Sequence, residues 1–515
     1  MPLHGLTVVD LTRVLAGPYC AMMLGDMGAE VFKVEEPTHG DDTRAWAPFH
    51  HGVSTFFLGM NRSKKSVALD LKTPEGAEAL RRLIETADVL IENFRPGSLK
   101  KLGFDYETVR QTNPRLVFCS ITGYGQQGPK RMLPGYDAVV QAESGLMHVT
   151  GQPDGPPTRV GVAITDYLAG LYAFSGILLA LRHRDQTGLG QHVDIALLDA
   201  MTTAMSLPAN VLFATGQELG REGNDHHTLT PYETVQVRDG LVMVAVGNQR
   251  LWHRFCQAIG QPQLNTDPRF ATNTDRMEHR DTLKGTLDGY LGDLTREDLI
   301  GRLRAHAVPC GEVRTVAEAL ADPQLAAREM VLDIPHPELG SLRSLGNPIK
   351  LSRTPPVLDR PPPSLGQHTA EVLKRLGLAL AVVVMGVGAT HAQTNEHFRG
   401  RLSVMPVDFA TAATMSGSGE ARASLTGSTL VVTGTFEGLS SPATAAHLHR
   451  APPARRGPVA FALDVTSGVN GTLAGTIDLT AAETAVLREA GYYVQIHTEH
   501  NRGGELRGWL MAARP

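Results

Sequence analysis

At 515 residues the chain exceeds one ordinary domain, and at roughly 100–200 residues per domain about three folding units are expected. With 42% hydrophobic and 20% charged residues it has the composition of a globular protein, which excludes general disorder, and a formal charge of −5 gives no reason to expect nucleic-acid binding. Four cysteines, Cys20, Cys119, Cys256 and Cys310, lie far apart with no CxxC pair, so neither a disulfide framework nor a cysteine zinc site is indicated, and a reducing compartment fits.

The chain starts Met1-Pro-Leu-His-Gly, without the basic stretch and apolar run of a secretory signal, so a cytoplasmic start is expected. Residues 6–10 read as a short buried strand, Pro18 suits the first turn of a helix, Gly28 its end, and residues 31–34 the next strand. A second βαβ unit follows, with strands over 66–71 and 88–92 around a helix starting at Thr73-Pro74-Glu75, and a further strand lies over 115–121. This alternation predicts a parallel sheet with helices on both faces and ligands beyond the carboxyl ends of its strands. Loops 12–18, 93–97 and 123–128 would then line one edge.

None of these loops carries GxGxxG or GxxxxGKS/T, so no dinucleotide fingerprint or P-loop is assigned. Lys72, Arg95 and Lys101 stand near the strand ends, where phosphate pairing and plain surface solvation are both open readings. Asp166 ends an apolar run and precedes an apolar helix over 167–182. Spacing alone reads it as an N-cap. The alternative is a covalent nucleophile, since backbone N–H groups at a helix start would hold the carboxylate ionised.

Leu11-Thr-Arg-Val-Leu-Ala-Gly-Pro18, Gly28-Ala-Glu-Val-Phe-Lys-Val-Glu35, Glu92-Asn-Phe-Arg-Pro-Gly97, Gly135-Tyr-Asp137, Thr165-Asp166 and Leu365-Gly-Gln-His-Thr-Ala-Glu-Val-Leu373 together resemble the family III CoA-transferases, the group typified by formyl-CoA transferase, over about residues 3–378. The resemblance implies a Rossmann-like large domain with a small α/β domain, in dimers whose chains interlock. It implies that Asp166 is the nucleophile and that CoA contacts Val14, Leu15, Ala16, Leu69, Lys72, Asn93, Phe94, Arg95, Lys101, Tyr136 and Asp137. The implied reaction passes through aspartyl anhydride and aspartyl-CoA intermediates, with coenzyme A as carrier and no metal required. Gly247-Asn248-Gln249 is the candidate for the loop that excludes water.

Two departures bear on the substrate. Glu36 stands where formate-type members place an arginine, and the glycine run after the large domain is reduced to Gly247. Residues 230–240 with Trp252 look nearer to members that use succinyl-CoA and other dicarboxylates. Arg13, Arg44 and Arg159 are therefore the candidates for pairing with carboxylates. The 2-methylacyl-CoA racemases share the fold but typically carry a histidine within the Gly135-Tyr136-Asp137 region, and Tyr136 argues for the transferase.

Composition changes near residue 378. No lysine or cysteine follows Lys374, prolines crowd residues 355–363, and Lys374-Arg375 lead into an apolar run over 376–389. That run is shorter than the about 20 residues of a membrane span and has a signal-like layout, so a tethered or exported tail and membrane contact through 376–389 are expectations beside a plain linker. The same break is where two adjoining reading frames would meet.

Beyond it, strands over 429–436, 459–464, 475–479 and 492–497, with one helix over 481–490, predict an all-β Greek-key sandwich. His447-Leu-His449, Gly457-Pro-Val459, Gly475-Thr476 and residues 493–498 with 501–508 resemble a CHRD (chordin-type) domain over about 394–511. His447, His449 and His497 are read as hydrogen-bonded structural histidines, with a transition-metal site as the alternative, and no firm metal site is assigned. The expected division is a large domain over 1–215 completed by 330–378, a small domain over 216–329, an apolar linker over 379–393 and a β domain over 394–515. A β module with the transferase part secondary is the competing reading.

Overall fold

The computed structural model describes residues 1–337, 339–378, 396–404, 415–452 and 455–512. Two compact units emerge, Met1–Val387 and Gly388–Pro515, each with apolar cores of its own. The signal-like run expected over 376–389 lies almost wholly outside the described residues.

Six parallel strands carry the first unit. β1 (Thr7–Asp10), α1 (Ala16–Asp26) and β2 (Glu30–Glu35) make one βαβ unit, and β3 (Lys64–Ala68), α2 (Pro74–Thr86) and β4 (Val89–Glu92) a second. β5 (Val117–Thr122) leads through α3 (Asp137–Glu143) and α4 (Ile164–Thr187) to β6 (His192–Ala196), followed by α5 (Ser206–Thr215). The strand order is β3-β2-β1-β4-β5-β6, every pair parallel. β4 and β5 are buried at every residue, the pattern of strands covered on both faces. Local signals also agree: Thr73 caps α2 by accepting from the Gly76 N–H, with Pro74 in its first turn. Because the order reverses between β1 and β4, their carboxyl ends splay apart and leave a crevice.

α1 begins at Ala16 and ends at Asp26, so Pro18 lies inside its first turn and Gly28 follows the cap. α4 packs on α1 through small residues, and Gly170 is required there: a Cβ would stand 2.7 Å from the Ala16 carbonyl oxygen. Among the described residues, α4 alone is long and apolar enough to cross a membrane, yet its Ala169, Ala173 and Ile177 belong to the core beneath the sheet.

A smaller antiparallel sheet follows, with β7 (Tyr232–Val237), β8 (Gly240–Ala245) and β9 (Cys310–Glu312) in the order β9-β8-β7. α6 (Gln249–Ala258) closes its core with Trp252 and Phe255. After the hairpin of β10 (Val331–His336) and β11 (Gly340–Leu345), α7 (Thr369–Arg375) returns to the large sheet, where Val372 and Leu373 are buried. Gly366 and Gly377 adopt positive φ on either side of it.

The second unit is one antiparallel sheet built from β12 (Glu396–Val404), β13 (Ser418–Thr426), β14 (Thr429–Glu437), β15 (Ala443–Arg450), β16 (Val459–Val465), β17 (Gly471–Asp478), β18 (Tyr492–Thr498), β19 (Leu506–Trp509) and β20 (Met511–Ala512). Its order is β13-β14-β17-β16-β15-β18-β19-β12-β20, and β12 also pairs with β13, which closes the sheet on itself. Alternation of buried Phe398, Leu402, Leu430 and Val432 with exposed neighbours supplies the inward face. The helix Ala481–Arg488 begins with a capping box between Thr480 and Glu483.

Candidate active site

A cavity of about 230 Å³ lies at the strand reversal. Arg13, Val14, Leu15 and Ala16 reach it from the loop after β1, and Asn93, Phe94 and Arg95 from the loop after β4. Gly123, Arg131, Tyr136 and Asp166 complete the far side. The Gly123 and Gly135 backbones touch there, and a Cβ on Gly123 would stand 2.6 Å from the Gly135 Cα, so both positions exclude a side chain.

The loop after β1 is held in an unfavourable shape. Val14, a β-branched residue, has φ +73, a conformation that costs on the order of 1–3 kcal/mol. Asn93 clamps it from both sides: its Oδ1 accepts from the Arg13 N–H at 3.0 Å and its amide donates to the Arg13 carbonyl at 2.8 Å. The Val14 N–H donates to Asp41. Beneath lies a set of buried charges, with Lys33 2.8 Å from Asp41 and Lys64 3.0 Å from Asp10. Lys33 also donates to the Thr12 carbonyl at 2.9 Å, which ties the charges to the loop.

Burial opposes ionisation of these groups, and opposite charge overcomes it for three of the four. Against burial, Lys33 and its own hydrogen bonds bring Asp41 down to about 2. Asp10 is likewise held below the usual carboxylate range despite burial, by Lys64 and Lys33, and Lys33 is held above the usual lysine range by Asp10 and Asp41. Only for Lys64 does burial prevail, lowering it to about 8.

Asp166 has the opposite environment. It sits in the first turn of α4, whose N-cap is Ala163 and makes no side-chain cap, so the N-cap reading is replaced. The expectation that backbone N–H groups would keep it ionised is also corrected. Among the described residues no hydrogen bond reaches its carboxylate, and burial, reinforced by the negative charge of Asp137, pushes its pKa up to about 7. Asp137 is buried and its oxygens are occupied: Oδ1 accepts from the Thr165 N–H at 3.1 Å and hydroxyl at 2.9 Å, and Oδ2 from Gln141 at 2.8 Å. It positions the start of α4 instead of facing the cavity.

The remaining candidates divide by location. Val14, Leu15, Ala16, Asn93, Phe94, Arg95 and Tyr136 meet Asp166 at the cavity. Leu69 does not, because it is 1% exposed in the apolar core beneath α2. Lys72 and Lys101 are exposed outside the cavity wall, whereas Lys100, which the sequence reading passed over, lines an adjoining hollow that shares Arg95 and Pro96. Gly247, Asn248 and Gln249 are not brought to the cavity within one chain. Asn248 caps α6, and Gln249 bonds the Ala271 carbonyl and Arg276.

Of the arginines proposed for carboxylate pairing, only Arg13 lines the wall. Arg44 is spent on Glu35 through two 2.7 Å hydrogen bonds, and Arg159 is exposed elsewhere. Arg131 was missed because an exposed arginine in a polar loop carries no local signal. His447, His449 and His497 do cluster in the second unit.

The family model for CoA-transferase family III matches residues 3–369. The chain belongs to CoA-transferase family III. It is 42% identical over 382 residues to the succinate–glutarate CoA-transferase of Agrobacterium fabrum, an alignment covering 73% of this chain and 96% of that one. It is 39% identical to the human succinyl-CoA:glutarate CoA-transferase, covering 73% and 86% respectively. The crystal structure of a CAIB/BAIF family protein from Brucella suis superposes with a TM-score of 0.67 at 41% identity, over 73% of this chain and 99% of that one. The CHRD domain model matches residues 402–510. The enzyme is thus a CoA-transferase of family III followed by a CHRD domain.

Proposed function

We propose that this CoA-transferase moves CoA from a dicarboxylyl thioester such as succinyl-CoA to a second dicarboxylic acid, with Asp166 as the covalent carrier. The observation that carries this reading is the placement of an unassisted carboxylate, Asp166, in a crevice that Arg13, Arg95 and Arg131 also line. The arginines suit the second carboxylate of a dicarboxylic acyl group and the phosphates of CoA. The names of the Agrobacterium and human relatives favour the same substrate class. Tyr136 at the cavity wall stands against the racemase reading.

In the proposed route an Asp166 oxygen attacks the thioester carbonyl, and the C–S bond breaks to give a mixed anhydride and CoA thiolate. The thiolate then attacks the Asp166 carbonyl, releasing the donor acid as carboxylate and leaving an aspartyl-CoA thioester. An acceptor carboxylate attacks that thioester to form a second anhydride. The thiolate finally takes the acceptor acyl group and restores Asp166. Activated acyl groups are exchanged throughout, so no external energy source enters.

A second copy of the chain is part of the proposal. α4 and α5 leave Leu171, Tyr172, Leu179, Leu207 and Phe213 exposed, the last at 81%, an apolar stretch that an interlocked homodimer would cover.

Hydroxylamine trapping in the presence of succinyl-CoA tests the carrier. A hydroxamate is expected at Asp166 alone, and Asp166→Ala should lose transfer while still retaining acyl-CoA on the protein. Should Asp166→Ala keep a tenth of the turnover, Asp166 would lose its assigned role.

A further inference from the structure

The CHRD domain carries a cluster of chemistry-bearing side chains independent of the transfer site. β15 places His447 and His449 two residues apart, so both rise from the outer face of the strand while Leu448 between them enters the core. β18 pairs with β15 and supplies His497 from the same face. One ligating nitrogen from each ring lies within 4.8 Å of the others.

The hydrogen bonding of these rings separates a binding site from three structural histidines. Nδ1 of His449 meets the Gly457 carbonyl at 3.0 Å, and Nδ1 of His497 meets the Arg502 carbonyl at 2.8 Å. A carbonyl only accepts, so Nδ1 carries a proton and, in the neutral ring, Nε2 keeps the lone pair that can bind a metal. Those two Nε2 atoms and Nδ1 of His447 are buried, and none has a hydrogen-bond partner among the described residues. Buried polar atoms without partners each cost on the order of 1–3 kcal/mol, so three of them, one on each ring of a single histidine cluster, call for an occupant.

The surroundings fix the rings. Tyr493 stacks on His449 with ring centroids 4.9 Å apart, and its hydroxyl accepts from the Gly457 N–H at 3.2 Å, beside the carbonyl that holds His449. Gln495 donates to the Gly503 carbonyl at 2.8 Å and accepts from Arg507 at 3.0 Å, which tethers the loop that holds His497. Imidazoles oriented by backbone carbonyls are the usual outer support of a metal centre.

We propose that His447, His449 and His497 bind one late first-row transition-metal ion, copper or zinc, through neutral imidazole nitrogens. The donor set selects this class: imidazole suits copper and zinc, and no carboxylate belongs to the cluster, which disfavours magnesium and calcium. Metal–nitrogen bonds of about 2.0–2.1 Å require the rings to close in modestly, within reach of side-chain rotation.

The full-length chain, stripped of metal by a chelator and desalted, is titrated separately with Cu(II), Zn(II) and Mg(II) against a chromophoric competitor. One equivalent of copper or zinc per chain is expected, with no magnesium bound. The tighter of the two ions identifies the source, and bound Cu(II) should show nitrogen hyperfine splitting in its electron paramagnetic resonance spectrum. His447→Gln and His497→Gln should each weaken uptake on the order of 100-fold, whereas Asp166→Ala should leave it unchanged. Circular dichroism checks that the variants keep their sheet. For any variant that does not, the wild-type stoichiometry and nitrogen splitting decide alone. Wild-type uptake below a tenth of an equivalent, or equal uptake by a folded His447→Gln/His497→Gln double variant, would overturn the assignment.

Discussion

Replacing Asp166 by asparagine should stabilise the transferase unit while abolishing its chemistry, and the gain should depend on pH. Burial and Asp137 lift the Asp166 pKa from 3.8 to about 7 in the folded chain. A rise of about three units corresponds to about 4 kcal/mol of preference for the protonated form. The sign follows from linkage: below about pH 4 the group is protonated in both folded and unfolded chains and costs nothing. Between pH 4 and 7 only the unfolded chain releases the proton, so stability falls by about 1.4 kcal/mol per pH unit, levelling off above 7. Asparagine has nearly the same shape and no charge. Allowing for desolvation of its amide, Asp166→Asn should add about 1 kcal/mol at pH 5 and about 2–4 kcal/mol at pH 8. Urea unfolding of the transferase unit at both values measures this, with transfer activity assayed in parallel. A variant no more stable than the wild type at pH 8, or one with equal gains at both values, would refute the account of Asp166 as a carboxylate held at a cost.

Two further outcomes follow from the groups around the cavity. In the wild type, kcat/KM for the acyl-CoA donor should fall below about pH 7 as Asp166 takes up a proton; Asp137→Asn keeps an acceptor for Thr165 but removes the charge, so the acid limb should move to lower pH, and a limb that stays in place would contradict the stated cause. Lys33→Met should destabilise by about 3–5 kcal/mol in urea at neutral pH by leaving buried carboxylates unpaired, and because the Asp41 contribution is present above about pH 4 and lost as the pH falls through about 2, the penalty should shrink in acid.

The large sheet was legible because its strands carry the signature of two-sided burial and its helices carry caps. Val89–Glu92 and Val117–Thr122 are mostly apolar runs, and Thr73-Pro74 announces α2 before any contact is known. The loops after β1 and β4 followed from the parallel order, since their shared edge is a consequence of topology. What escaped was whatever depends on the direction of a side chain. Asp137 and Asp166 are both acidic residues near helix starts, yet Asp137 is satisfied within the fold and Asp166 faces the cavity. Lys100 and Lys101 are adjacent, and only helical rotation decides that Lys100 is the one lining a hollow. Nothing in the sequence shows that Glu35 already holds Arg44. Closure of the second unit into a barrel depends on pairing between β12 and β13, a contact that alternation alone does not specify.

The contrast between the two sides of the cavity bears on how the proposed carrier would work. On one side, buried lysines and aspartates neutralise each other and hold the strained Arg13-Val14 loop in place at the cavity wall. On the other, Asp166 is left without donors at an uncapped helix start, where its ionised form is disfavoured by about 4 kcal/mol relative to water. In the proposed route Asp166 alternates between a free carboxylate and neutral acyl forms, the anhydride and the CoA thioester. A pocket that penalises the charge brings the free carboxylate closer in energy to those acyl forms and makes it a stronger nucleophile once ionised. Asp137 adds to that penalty through the negative charge it places near Asp166, while its own oxygens are satisfied by Thr165 and Gln141 at the start of α4.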